Sequence, residues 1–304
     1  MKELYPLFGI VTVVNTPFTP GDQIDYKSLR KHIRYALDAG VSGFLLPALA
    51  SEVYQLSFRE RLELVSVVMQ EVDNKVPVIA GSGETSLVKS RHLLKAYLDL
   101  GCRNVLFQIP FENEDQYYRH FMDLAGLGPA MIMLQDWDPV GYGLPDRLIM
   151  RLFNEVEAFR CLKIETVPAG IKYSRILALT GNHLNISGGW AVTQMVEGMQ
   201  RGVHAFMPTG MPYIYTTIYN EFKSGRQKNA IKLFHQLLPV LAFSNQHLDI
   251  SILFFKRLAH QQELYATLKC RQLSVVFDNI HESIADKLIE WVIETEERIR
   301  KERG

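Results

Sequence analysis

The chain has 304 residues, 47% of them hydrophobic and 22% charged, and its 33 basic and 33 acidic side chains cancel. That balance speaks against nucleic acid or an anionic membrane as the main partner, and no apolar run is long enough to span a bilayer. Cys102, Cys161 and Cys270 are far apart in sequence, with neither metal-ligand spacing nor a disulfide framework. They predict a reducing, cytoplasmic setting, and the opening residues lack the apolar core and cleavage site of a secretory leader.

Short β-rich runs begin at Gly9, Gly43, Val76, Asn104, Ala130, Cys161, Leu184 and Ala205. Helical periodicity fills the gaps between them. In the segment 25–40, Leu29, Ile33, Ala36 and Leu37 share one face, Asp25 suits the N-cap and Gly40 the stop. Ser57 with Glu60 has the form of a capping box. Strands that alternate with helices and lack hairpin turns predict a parallel sheet, and eight such units predict a (β/α)8 TIM barrel. No G-x-G-x-x-G follows the first strand, which disfavours the open dinucleotide-binding alternative. After Gly225 three helical segments follow without strands, so the expected division is a barrel over 1–225 and a C-terminal helical extension over 226–304. The closing run TEERIRKER reads as a solvated helix end.

In such a barrel the reactive groups stand at the C-terminal ends of the strands. The polar residues expected there are Ser51 and Glu52, Ser82 and Glu84, Gln135 and Asp136, Lys163 and Glu165, Gly188 to Trp190, and Thr209. Lys163 and Glu165 are two apart and therefore share a face. A desolvated lysine has a lowered pKa and a nucleophilic amine, which can capture a ketone as a Schiff base. Glu165 is then placed to move protons. The alternative is a buried ion pair that ties the barrel together, although such pairs gain little net stability. Ser51 and Glu52 can hold substrate or simply satisfy loop amides; Gly188 can admit substrate or relieve crowding. Trp190 can wall the pocket or pack at its rim. Cys161 reads as a core filler and Lys172 as a solvated helix residue.

The opening GIVTVVNTPFTPGDQ, the third-strand VPVIAGSGETS, the sixth-strand LKIE and the NISGG of strand seven together resemble the dihydrodipicolinate synthase / N-acetylneuraminate lyase superfamily of Schiff-base barrels, over nearly the whole chain. The resemblance implies that Lys163 is the Schiff-base lysine, that no metal or organic cofactor is required, that the partner is a small-molecule 2-keto acid, and that the protein is a homodimer or homotetramer. Departures are equally informative. Leu49 and Ala50 stand where the family's loop has threonines, and Gln135 where it has a tyrosine relay; the following arginine and the strand-four tyrosine have no counterpart.

Glutamine is not a base, so retro-aldol cleavage loses its proton acceptor whereas β-elimination of water does not. The chain is most similar to the 2-keto-3-deoxy-sugar-acid branch, in particular the L-2-keto-3-deoxyarabonate dehydratases, at Ser51–Glu52, Gln135–Asp136, Lys163–Thr166 and Trp190. That implies catalysis by Lys163 and Glu165, with substrate held by Ser51, Glu52, Gln135, Asp136, Gly188, Trp190 and Thr209. The alternatives are a pyruvate-dependent aldolase or synthase-like condensation and, in another class, a non-catalytic keto-acid sensor.

Overall fold

The structure, a computed structural model, describes residues 2–189 and 192–303. In chain order the elements are β1 Gly9–Val13, α1 Tyr26–Asp38, β2 Gly43–Leu46, α2 Phe58–Val72, β3 Val78–Gly81 and α3 Leu87–Asp99. Then come β4 Asn104–Phe107, α4 Glu114–Ala125, β5 Met131–Asp138, α5 Asp146–Glu155, β6 Phe159–Thr166 and α6 Gly170–Leu179. The chain continues with β7 Asn185–Gly188, α7 Met195–Gln200, β8 Ala205–Phe206 and α8 Pro212–Lys223, and closes with α9 Gln227–Ser244, α10 Leu248–Gln261 and α11 Asn279–Arg303. The strands follow one another as a closed parallel barrel, β1 to β8. Among the described residues no helix is long and apolar enough to cross a membrane.

The chain forms two compact units, and the three last helices belong with its opening segments. One unit comprises residues 2–8 and 77–207, the other 9–76 and 208–303. The first unit carries β3 to β8. Strand pairing is continuous from Ala80↔Val105 through Ser187↔Ala205. One irregularity interrupts it: Ile132 pairs with Phe159 but Met133 with Cys161, so Arg160 is an extra residue in β6. The bulge lets Phe159 face outward against Phe121, ring centroids 5.5 Å apart, while Cys161, Lys163 and Glu165 take the other face. Phe121 also meets Phe107 edge-on at 5.4 Å. Burying such a ring completely is worth about 2–3 kcal/mol, and edge-to-face contacts add to it.

In the second unit the local chemistry of the helix starts is as the sequence predicts: Asp25 caps α1 and Ser57 with Glu60 forms a capping box on α2. The charged C-terminal run is solvated along most of its length, as expected, but Thr295, Glu296 and Ile299 are buried. Glu296 is buried on α11 and accepts from the Tyr213 amide of α8, from Tyr35 and from Gln262, each at 2.8 Å. It thereby supplies the cap that Met211 cannot, because a helix start needs acceptors for its free N–H groups. Arg303 donates to the Ala39 carbonyl at 2.8 Å and to Thr217 at 2.7 Å.

The segment between α10 and α11 is sewn back onto the opening of the chain. Tyr265 donates to the Asn15 carbonyl at 2.7 Å, and its oxygen is 2.8 Å from His32 Nδ1, so Nδ1–H is the tautomer that satisfies both. Burial pushes His32 down to about 4 from its ordinary 6.5. Between those values the unfolded chain binds a proton that the folded one refuses, so stability is full above about 6.5 and falls as pH drops towards 4. The loss amounts to about 3 kcal/mol at roughly 1.4 kcal/mol per unit. Urea unfolding of the protein and of His32→Gln at pH 7, 5.5 and 4.5 measures this; the variant is expected to lose the slope attributable to His32, and an unchanged slope refutes the assignment.

Candidate active site

The site residues in the first unit follow from strand register. Gln135, Lys163 and Ser187 are cross-strand partners on β5, β6 and β7, and register partners in a parallel sheet share a face. Lys163 Nζ lies 2.9 Å from Glu165 Oε2, and Gln135 Nε2 donates to the same oxygen. All three side chains are buried, with 5, 9 and 7% exposure for Lys163, Glu165 and Gln135. An amine, a carboxylate and an amide donor are thus fixed within hydrogen-bond reach.

Glycine makes this possible. A Cβ at residue 189 would overlap the Glu165 carboxylate and its Cγ, so only glycine leaves the carboxylate its place. Gly188 has a different neighbourhood. It pairs with Ile164 on the opposite face, where its missing Cβ would lie 2.9 Å from Tyr173 Oη and 3.0 Å from the Phe206 ring. Its small size therefore relieves crowding against α6 and β8. Burial, and then the charge of Glu165, push the Tyr173 phenol up.

Asp136 corrects the sequence reading in the same way. It was expected beside Gln135 at the strand end, but neighbours in a strand point apart. Its carboxylate turns to the helix side, where it is ion-paired with Lys172 and accepts from the Leu144 amide at 2.8 Å. Lys172 is consequently not solvated: it is wholly buried and also donates to the carbonyls of Tyr142, at 2.6 Å, and Leu144, at 2.8 Å. Burial pushes the Asp136 carboxyl up and the Lys172 ammonium down, each opposed by the charge of the other. Strand parity could have revealed this, because a carboxylate on the helix-facing side of a buried strand needs a cation there.

The second unit accounts for the residues after β2. Ser51 Oγ donates to the Val14 carbonyl at 2.5 Å and accepts from the Ala48 amide at 3.0 Å. Glu52 has φ of 56°; its buried carboxylate is ion-paired with Lys256 of α10 and accepts from the Arg271 amide at 2.8 Å. Of the two roles open to them in the sequence, both residues make the loop-ordering contacts. Lys256 and Arg271 lie more than 200 positions away in sequence, and no local pattern announces them. Thr209 forms an isolated bridge with Val13 and is half-buried. Trp190 lies outside the described residues.

An eight-stranded parallel barrel with a lysine–carboxylate pair on its sixth strand is the class that fold and site define. The chain belongs to the dihydrodipicolinate synthetase family, whose description matches residues 6–289. Among curated relatives it is 31% identical over 167 residues to a 4-hydroxy-tetrahydrodipicolinate synthase of Kosmotoga olearia, which covers 54% of this chain and 53% of that one; the match thus spans about half of that relative's length. It is 26% identical over 253 residues to an L-2-keto-3-deoxyarabonate dehydratase of Azospirillum brasilense, covering 80% and 81%. Among solved structures, a dihydrodipicolinate synthase of Rhodopseudomonas palustris superposes with a TM-score of 0.86 at 18% identity, covering 95% of this chain and 99% of the other. That likeness establishes the barrel fold.

Two outcomes test the packing just described. Gly189→Ala is expected to expel the Glu165 carboxylate from Lys163 and Gln135, visible in a crystal structure of the variant; a carboxylate still in place contradicts the steric argument. Lys256→Met leaves the Glu52 carboxylate buried without its cation and is expected to cost about 3–5 kcal/mol in chemical denaturation, most of it recovered when Glu52→Gln is added. A loss under about 1 kcal/mol in the single variant would show that the pair does not order the loop.

Proposed function

We propose that the protein is a lyase that captures a 2-keto acid on Lys163 and removes water from a 2-keto-3-deoxy sugar acid such as L-2-keto-3-deoxyarabonate. The observation that carries this reading is the contact of Lys163 Nζ with Glu165 at 2.9 Å, with Gln135 bound to the same carboxylate. The amine adds to the C2 ketone and water departs to leave an iminium. Glu165 takes a proton from C3, giving an enamine. The enamine expels the C4 hydroxyl, which leaves as water with the proton that Glu165 returns. Hydrolysis of the conjugated iminium then frees Lys163, so that one water is lost overall. The sequence calls for no metal or organic cofactor in this scheme.

Gln135 favours elimination over carbon–carbon cleavage. Cleavage needs a base on the C4 hydroxyl, and an amide cannot supply one. Here the amide nitrogen is spent on Glu165, steadying the group that handles both proton transfers. The names of the relatives support each side. The dehydratase shares the longer alignment and the synthase the higher identity, so condensation or cleavage with pyruvate is the rival reaction. In either case the reading takes a homo-oligomer, and it sets aside a non-catalytic sensor because the amine has an acid–base group beside it.

The decisive experiment is to incubate the protein with pyruvate or with 2-keto-3-deoxyarabonate, reduce with borohydride and map the adduct by mass spectrometry. An adduct on Lys163 that Lys163→Ala abolishes is expected, together with loss of one water per sugar acid and no release of pyruvate. Absence of an adduct with either compound overturns the Schiff-base reading. Pyruvate release transfers the assignment to the aldolase reaction, and an adduct without turnover transfers it to the sensor.

A further inference from the structure

Behind the site, on the helix-facing side of the same sheet, the Asp136–Lys172 pair does more than fill space. Both side chains are sealed from solvent, at 1% and 0% exposure. Lys172 gathers three acceptors from separate pieces of chain: the Asp136 carboxylate of β5 and the carbonyls of Tyr142 and Leu144 in the connection to α5. Its ammonium also stands 4.5 Å from the centre of the Tyr142 ring. Asp136 in turn accepts from the Leu144 amide, and Asp138 accepts from the Val140 and Gly143 amides at 3.1 Å. The connection is wrapped closely around the carboxylate: Gly143 has φ of 77°, and a Cβ there would overlap Asp136 Oδ1 and approach Thr166.

A buried pair of this kind adds little to net stability, but it fixes geometry. The backbone it fixes is the end of β5, in which Gln135 immediately precedes Asp136 and pairs with Lys163 across the ladder. We infer that Asp136 and Lys172 are positioning residues that hold Gln135 against Glu165, so that the carboxylate is presented correctly for proton transfer at C3. The inference rests on the Schiff-base reading and adds to it a pair that never touches substrate. Its effect is expected on proton transfer rather than on formation of the iminium, because the contacts of Asp136 and Lys172 are with each other and with the connection to α5, and the Lys163 amine is not among them.

The test separates those two steps using pyruvate alone. Iminium formation is read by borohydride trapping as a function of pyruvate concentration. Proton transfer is read by NMR as exchange of the pyruvate methyl protons in deuterium oxide, well below each variant's melting temperature. In Asp136→Asn with Lys172→Met, which leaves no lone buried charge, the half-saturating pyruvate for trapping is expected to stay within about twofold, while exchange at saturation falls at least tenfold, the equivalent of about 1.4 kcal/mol of barrier. The single variant Lys172→Met is expected to behave alike. Gln135→Leu should slow exchange by a similar factor, and adding the pair substitution to it should cost little more, because residues that act through one another are not additive. Exchange within twofold of the parent, or losses that multiply with those of Gln135→Leu, overturns the positioning role and leaves the Schiff-base reading standing. If the unsubstituted protein gives no adduct on Lys163, the reading falls and the inference with it.

Discussion

The carboxylate of Glu165 is the point on which the site depends. It is buried, it lies against an ammonium, and it accepts from an amide on the neighbouring strand. A carboxylate in such surroundings is tolerable only because its hydrogen-bonding capacity is met. Each of those contacts has a structural condition: Lys163 must share its face, Gln135 must stand in register, and residue 189 must be glycine. The sheet supplies the first two through its alternation and pairing, and the third is a sequence choice that no other residue can replace without moving the carboxylate.

The same alternation explains how much of the molecule could be read beforehand. The barrel was legible because eight apolar runs alternate with amphipathic helices, and helix starts were legible because Asp25 and Ser57 carry local capping chemistry. The Lys163–Glu165 pairing follows from a spacing of two. Asp136 was misplaced by applying that rule loosely: with Gln135 assigned to one face, its neighbour belongs to the other, and Lys172 is the cation that meets it there. Glu52 was harder to place, since its partners Lys256 and Arg271 come from the far end of the chain. Long-range contacts of this kind leave no periodic trace. At the largely solvated end of α11 the exception escaped for a related reason, because composition cannot show that Glu296 faces the start of α8.

Within the second unit, the C-terminal helices are integral to the loops that follow β1 and β2. Lys256 of α10 meets Glu52, and the segment after it reaches Asn15, His32, Gln55 and Glu60. An extension that looked like an appendage in the sequence thus orders the opening loops of the chain. Glu60 shows how economical the arrangement is: it completes the capping box of α2 and also receives Arg271, whose hydrogen bond holds its carboxyl down at about 2.

Arg160, the residue of β6 without a register partner, has a consequence for how this strand tolerates change in length. It lies upstream of both reactive side chains and downstream of the aromatic anchor Phe159. One surplus residue there lets the anchor face the helices while the lysine faces the other way. Deleting it would leave Phe159 and Cys161 adjacent and still on opposite faces, turning the bulge into a regular ladder with the pairing from Met133↔Cys161 onward unchanged. Deleting Leu162 instead, where the ladder is regular, would turn Lys163 and Glu165 to the helix-facing side and drive the ammonium and carboxylate into hydrocarbon packing. The strand therefore has one place, at the bulge, where a residue can be lost without moving the reactive pair, and beyond it the ladder forgives substitution far better than insertion or deletion.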